Sequence, residues 1–161
     1  MMDDTAIFHA SASDLQTVHD IVTQTVSEIY PHYYPSGAVA FFLSHHNTDA
    51  IAADIAAGCV YLLNDADGRT VGTVTINENE INRLFVLPQA QGYGFGRLLL
   101  DFAEQEIWKQ YEKITLSASF SAKPIYLNRG YQAVDFGKIP TESGDFLCFD
   151  TMEKTKTGGT L

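Results

Sequence analysis

Leu15, Val18, Ile21, Val22 and Val26 recur at intervals of three and four, which gathers them on one face of a helix. Ser13 and Asp14 precede them as N-cap candidates. Before these, residues 7–10 read as a short first strand. Residues 30–35, Tyr-Pro-His-Tyr-Tyr-Pro, interrupt the helical pattern with two prolines and three tyrosines. Helical spacing resumes over residues 37–46 and again over 48–57, where Gly58 stands ready to terminate it. The pattern then changes to strands. Residues 60–64 form one, Asp67-Gly68 is a hairpin turn signal, and residues 71–76 form the next. A second tight turn at 77–79 leads into a strand over 81–87. Leu98, Leu99, Phe102, Ala103 and Ile107 mark the buried face of a helix reaching about Tyr111. The pattern closes with a strand at 114–117, a short helix at 122–129 ended by Gly130, and strands at 131–136 and 146–152. The last two are joined by a loop holding Pro140 and Gly144. A run of strands before the central helix predicts a mixed α+β sheet and not a pure βαβ repeat.

Composition narrows this picture without changing it. The chain has 161 residues, of which 45% are apolar, enough for one domain with a substantial core. We expect a single domain over residues 1–154 and a disordered tail over 155–161, which is small and polar with a Gly pair. The N-terminus is acidic and lacks the basic-then-apolar pattern of a secretory signal. No apolar run is long enough to span a membrane. Cys59 and Cys148 are the only cysteines, too few for a disulfide framework, so a reduced cytoplasmic protein is expected. The formal charge of −10 argues against nucleic acid as a partner and mildly favours cationic ligands such as amines.

The candidate chemistry starts at residues 84–97, LFVLPQAQGYGFGR. A strand ends at a proline, three glycines follow at every second position, and a helix begins. The spacing fails the dinucleotide fingerprint, which needs G-x-G-x-x-G after a strand of a βαβ unit. It also fails the P-loop, because Arg97 and Leu98 follow the last glycine. What remains still suits an anion. The first amides of a helix lack internal partners, the helix dipole adds positive potential, and glycine removes the Cβ while allowing unusual backbone angles. Taken alone, the same loop is also a plausible glycine-rich connection.

Val86-Leu87-Pro88 followed by Gln91-Gly92-Tyr93-Gly94-Phe95-Gly96 resembles the acetyl-CoA signature of the GNAT superfamily of N-acetyltransferases. That signature is Gln/Arg-x-x-Gly-x-Gly/Ala between the fourth strand and third helix. Ser119 to Tyr131, SFSAKPIYLNRGY, resembles the family's second segment, with Tyr126 at the position of its tyrosine. Glu80-Ile81 resembles the Glu-Ile opening the fourth strand, and the terminal hairpin also fits. The resemblance spans residues 7–154. It implies a central twisted sheet of six to seven strands, flanked by helices and splayed at the fourth and fifth strands.

The resemblance also implies roles. Acetyl-CoA would be the cosubstrate, its pyrophosphate held by Gln91, Gly92, Tyr93, Gly94, Phe95, Gly96 and Arg97. Its pantetheine arm would pair with Leu84, Phe85 and Val86, with a backbone N–H near Val86 stabilising the thioester oxygen. Ser119 stands where members often carry an asparagine that helps hold the arm. Tyr126 is the candidate general acid and Glu80 the candidate base, with Glu78 as a rival. Tyr30, His32, Tyr33 and Tyr34 are candidates for the acceptor site, because the family's first helices cover it and aromatic rings bind amines. Each also has a bland reading: a solvated carboxylate for Glu80, packing for the tyrosines. His45-His46 lacks further ligands, so no metal is expected. The expected activity is acetyl transfer to a primary amine of a small molecule or peptide by direct attack in a ternary complex. A non-catalytic acyl-CoA sensor is the alternative, and both monomer and homodimer remain open.

Overall fold

The computed structural model describes residues 6–157. Seven strands form one sheet: β1 (Ala6–His9), β2 (Val60–Asn64), β3 (Thr70–Asn77), β4 (Glu80–Val86), β5 (Lys113–Ala118), β6 (Gln132–Pro140) and β7 (Phe146–Thr155). Five helices accompany them: α1 (Leu15–Ile29), α2 (Ser36–His45), α3 (Thr48–Ala56), α4 (Phe95–Trp108) and α5 (Lys123–Asn128). The sheet order is β1-β2-β3-β4-β5-β7-β6. All neighbours are antiparallel except β4 and β5, which run parallel. This is the mixed α+β arrangement the sequence predicts.

Strand alternation splits the core into two layers. On β2, Val60 and Leu62 pack with Val18, Ile21, Val22 and Val26 of α1 and with Ile51 and Ile55 of α3. Leu63 faces the other way and joins Leu99, Leu100, Ala103 and Ile107 of α4. Both faces of β2 are therefore buried, in keeping with its apolar run Val60-Tyr61-Leu62-Leu63.

The parallel contact between β4 and β5 is short. It pairs Glu80 with Thr115 and Ile81 with Leu116, then ends. Beyond it, β4 carries a bulge. Thr73 pairs with Phe85 and Thr75 with Asn82, so one residue of β3 faces two of β4. Arg83 lies in the bulge with φ +45°. A bulge bends its strand and increases the local twist. β5 meanwhile stays paired with β7 as far as Ala118. The two strands diverge there, which is the expected splay.

Several boundaries differ from the sequence reading. β6 continues through Gly137 to Pro140 instead of stopping at 136, because β7 supplies partners along its whole length. The ring of Phe149 fills the space a Cβ on Gly137 would occupy, and Pro140 is tolerated on an edge strand. α4 begins at Phe95, two residues before Arg97. Thr155 closes β7 and the Lys156 N–H donates to the Glu112 carbonyl at 2.8 Å, so the sheet extends into the segment read as a tail. Residues 158–161 of that segment lie outside the described residues. Among the described residues, no helix is long and apolar enough to cross a membrane.

Candidate active site

The glycine loop is built from backbone geometry. Gln91 Nε2 donates to the Val86 carbonyl at 3.0 Å, which fastens the loop to the end of β4. Gly92 and Gly94 then take φ +88° and +86°, angles at which L side chains are strained. No protein atom lies within 4 Å of where their Cβ atoms would be. The glycines are needed for the turn itself, with open space beside them. Gly94 is the N-cap of α4 and provides no side-chain cap. Among the described residues, no backbone N–H from 92 to 97 donates to a protein acceptor. Six free donors at the start of a 14-residue helix have the geometry that suits an anion of phosphate type.

All but Tyr93 of these donor residues border a cavity of about 770 Å³. Leu84, Phe85, Val86, Gln91, Gly92, Gly94, Phe95, Gly96, Arg97, Ser119 and Tyr126, all read from the sequence as cofactor residues, line it. Tyr93 does not. Its side chain is 74% exposed, beside Phe95. The sequence reading missed Thr25, Leu100, Ser121, Asn128 and Arg129, which also line the cavity. Thr25 carried a faint signal, as a polar residue next to Val26 on the buried face of α1.

A second cavity of about 280 Å³ holds Glu80, Arg83, His45, His46 and Tyr34 in its wall. Tyr30, Leu84, Phe85, Ser119, Ala122 and Tyr126 line both cavities. The two therefore meet where β4 and β5 diverge. The tyrosine segment is divided between them. Tyr30 borders both, Tyr34 the smaller, Tyr33 the larger, and His32 neither. Glu78 sits exposed in the β3–β4 turn with φ +55° and borders neither.

Tyr126 is buried at the junction, and burial pushes its phenol up to about 12. Among the described residues, its hydroxyl has no protein hydrogen-bond partner. Tyr131 packs edge-on against its ring at 5.5 Å between centroids. The Tyr131 hydroxyl donates to Glu104 at 2.8 Å, and Glu104 also receives Arg129 and Lys154. Burial alone would raise the Glu104 carboxyl, but these donors and cations hold it below its ordinary value. This network ties α5 to α4 and fixes the ring of Tyr126 from below. Tyr34 fixes the loop above it. Its hydroxyl accepts from the Phe120 N–H at 2.8 Å and donates to the Cys148 carbonyl at 3.1 Å. Ser119, in the asparagine position, lies within the wall with its hydroxyl 3.1 Å from that of Ser121. Tyr30 is buried, which raises its phenol, while a hydrogen bond with Ser119 partly offsets that.

Arg83, His46 and Asp54 form a compact group behind the smaller cavity. Arg83 donates through Nε to His46 Nδ1 at 2.9 Å and pairs through Nη1 with Asp54. A guanidinium cannot accept, so Nδ1 of His46 must carry the lone pair and Nε2 the proton. Desolvation first, then the Arg83 charge, lower the His46 pKa to about 3. His46 is therefore a neutral donor and cannot serve as a base. Glu80 is left as the carboxylate in this wall. Among the described residues, no three His, Cys, Asp or Glu side chains gather as a metal site.

The profile of the Acetyltransferase (GNAT) domain family matches residues 29–156. No curated protein sequence matches the chain. Among solved structures, a GCN5-related N-acetyltransferase from Rhodopseudomonas palustris is similar, with a TM-score of 0.85 at 21% identity, covering 96% of this chain and 98% of that one. PaiA N-acetyltransferase from Thermoplasma acidophilum, in complex with coenzyme A, gives 0.70 at 18% identity over 94% and 98%. YncA from Salmonella typhimurium, with its cofactor acetyl-CoA, gives 0.70 at 17% identity over 98% and 96%. These structural likenesses speak for the fold, and the profile covers most of the sequence including the glycine loop and Tyr126. The chain belongs to the GNAT acetyltransferase family, enzymes that use acetyl-CoA as cosubstrate in acetyl transfer.

Proposed function

We propose that this protein moves the acetyl group of acetyl-CoA to a primary amine, with both substrates bound together. The observation that carries this reading is the meeting of two cavities at Tyr126, one of them bordered by five residues with unpaired amides, Gly92, Gly94, Phe95, Gly96 and Arg97. Acetyl-CoA supplies an activated acyl group as its thioester. The 92–97 amides and the exposed Arg97 suit the phosphates. Leu87 N–H donates to Val71 O, so strand alternation turns the Val86 N–H toward the gap, where it suits a developing oxyanion.

Glu80 accepts the proton of the amine. It stands four residues before Leu84, roughly 13 Å along the strand, so a water relay connects it to the junction. Tyr126, neutral throughout the physiological range, gives a proton to the departing sulfur. A nitrogen–carbon bond forms and a carbon–sulfur bond breaks. A neutral amine loses one proton while sulfur gains one, and an acceptor entering as ammonium releases one more. Free Cys59 and Cys148 suit the reducing cytoplasm, where acetyl-CoA would be met.

Release of the CoA thiol, followed with a thiol reagent over a panel of amines, tests the reading. Amine-dependent thiol release, with matching acetylated product, is expected. Acetyl-CoA binding without thiol release for any amine would favour the sensor alternative.

A further inference from the structure

The smaller cavity has a composition of its own. Seven Phe and Tyr rings line it: Tyr126 at the junction, and Tyr30, Tyr34, Phe41, Phe42, Phe85 and Phe149 beyond it. The rings are partly locked by one another. Tyr30 meets Phe42 edge-on at 4.7 Å, and Phe42 meets His46 at 4.8 Å. Its charges are few. Among the described residues Arg83 is the only Lys or Arg in the wall, its side chain 8% exposed and already neutralised by Asp54. The fixed donation from Arg83 keeps the His46 ring neutral. Glu80 remains as the only carboxylate in the wall, with no hydrogen bond or ion pair from the protein among the described residues. At about 280 Å³ the space lies at the small end of ligand pockets.

We infer that the acceptor is a compact primary amine on an aromatic or apolar body, with one positive charge and no carboxylate. This rests on the acetyl-transfer reading and names the substrate class of that site. An ammonium group entering this cavity is drawn by the charge of Glu80, which reaches it through the water relay, and is met by the faces of the rings, which attract cations when water is excluded. The body of the ligand is met by apolar surface. A carboxylate would sit near Glu80 with no free cation to answer it. A second ammonium, as in a polyamine, would need a second carboxylate, and Asp54 is committed to Arg83.

The test compares kcat/KM for 2-phenylethylamine, phenylalanine, spermidine and a lysine-containing peptide, at constant acetyl-CoA. Phenylalanine has the skeleton of 2-phenylethylamine plus a carboxylate, so the pair isolates that group. We expect 2-phenylethylamine to lead each of the others by at least tenfold. Phe42→Leu keeps an apolar side chain and removes one ring. It should raise the KM for 2-phenylethylamine about fivefold or more and leave the KM for acetyl-CoA unchanged. Transfer that favours phenylalanine, spermidine or the peptide would overturn the inference and leave acetyl transfer standing. An unchanged amine KM in Phe42→Leu would overturn the placement in this cavity. Calorimetry on the unmodified protein separates the remaining case: failure to bind acetyl-CoA at all would overturn the underlying reading, and this inference with it.

Discussion

Tyr126 at the junction and half-buried His46 in the wall of the smaller cavity have surroundings that suit them to different work. Among the described residues the hydroxyl of Tyr126 has no protein partner, and it lies at the border of both cavities. A phenol pushed up to about 12 by burial stays protonated at any working pH, as the proposed acid role requires. Tyr126→Phe keeps the ring against Tyr131 and removes only the oxygen. General acids typically contribute about 10²–10⁴-fold, so kcat should fall at least tenfold while acetyl-CoA binding hardly changes. Turnover within about twofold of the parent would make Tyr126 a channel wall and water the proton source. His46 makes a different prediction, about stability. Its pKa lies near 3 in the folded chain, against an ordinary 6.5. Between those values the unfolded chain binds a proton that the folded chain refuses. The stability from this group is thus present above pH 6.5 and lost as pH falls toward 3, about 2 kcal/mol between pH 7 and 5. Gln at position 46 can still accept from Arg83 and has no such titration. Urea unfolding at pH 7 and 5 should show a shallower loss for His46→Gln than for the parent. Equal losses would mean that His46 is protonated freely in the folded protein.

At the scale of elements, the decisive pieces are the start of α4 and the bulge in β4. Gly94 holds φ +86° with open space beside it, so Gly94→Val meets no clash but must adopt a left-handed angle. That costs about 1–2 kcal/mol for an ordinary residue, and relaxing the strain would turn the 92–97 amides away from their common target. Acetyl-CoA affinity measured by calorimetry should fall more than tenfold, about 1.4 kcal/mol or more, in a protein that still folds. Undiminished affinity would remove the loop from the site. This element was legible in the sequence because glycine preference at a left-handed turn is a local property. The bulge was not. Residues 81–87 read as a plain strand, and nothing near Arg83 announces a left-handed angle. What supports it there is Asp54, 29 positions away, and His46, 37 positions away. The bridge from Tyr34 to Phe120 and Cys148 spans 86 and 114 positions. Such contacts exist only after the sheet has formed. The tyrosine segment shows the same limit: its chemistry was visible, but its division between two cavities depends on how the short 30–32 turn enters α2.

For the whole molecule, the seven-stranded sheet matters because it fails to close. α1 to α3 cover one face and α4 the other, each with its own core, and the gap between β4 and β5 joins a cavity on the phosphate side to one on the aromatic side. The sequence predicted the splay through the resemblance in its loop and in the Ser119–Tyr131 segment, while the periodicity alone reached only a mixed sheet. On the proposed reading the two adjoining cavities hold both substrates together, so that the amine attacks directly and no acetyl group is parked on the protein. Initial rates over a matrix of acetyl-CoA and acceptor concentrations test this most directly. The account predicts double-reciprocal lines that intersect, as a ternary complex requires. Parallel lines, the pattern of an acetylated enzyme formed before the amine binds, would contradict it.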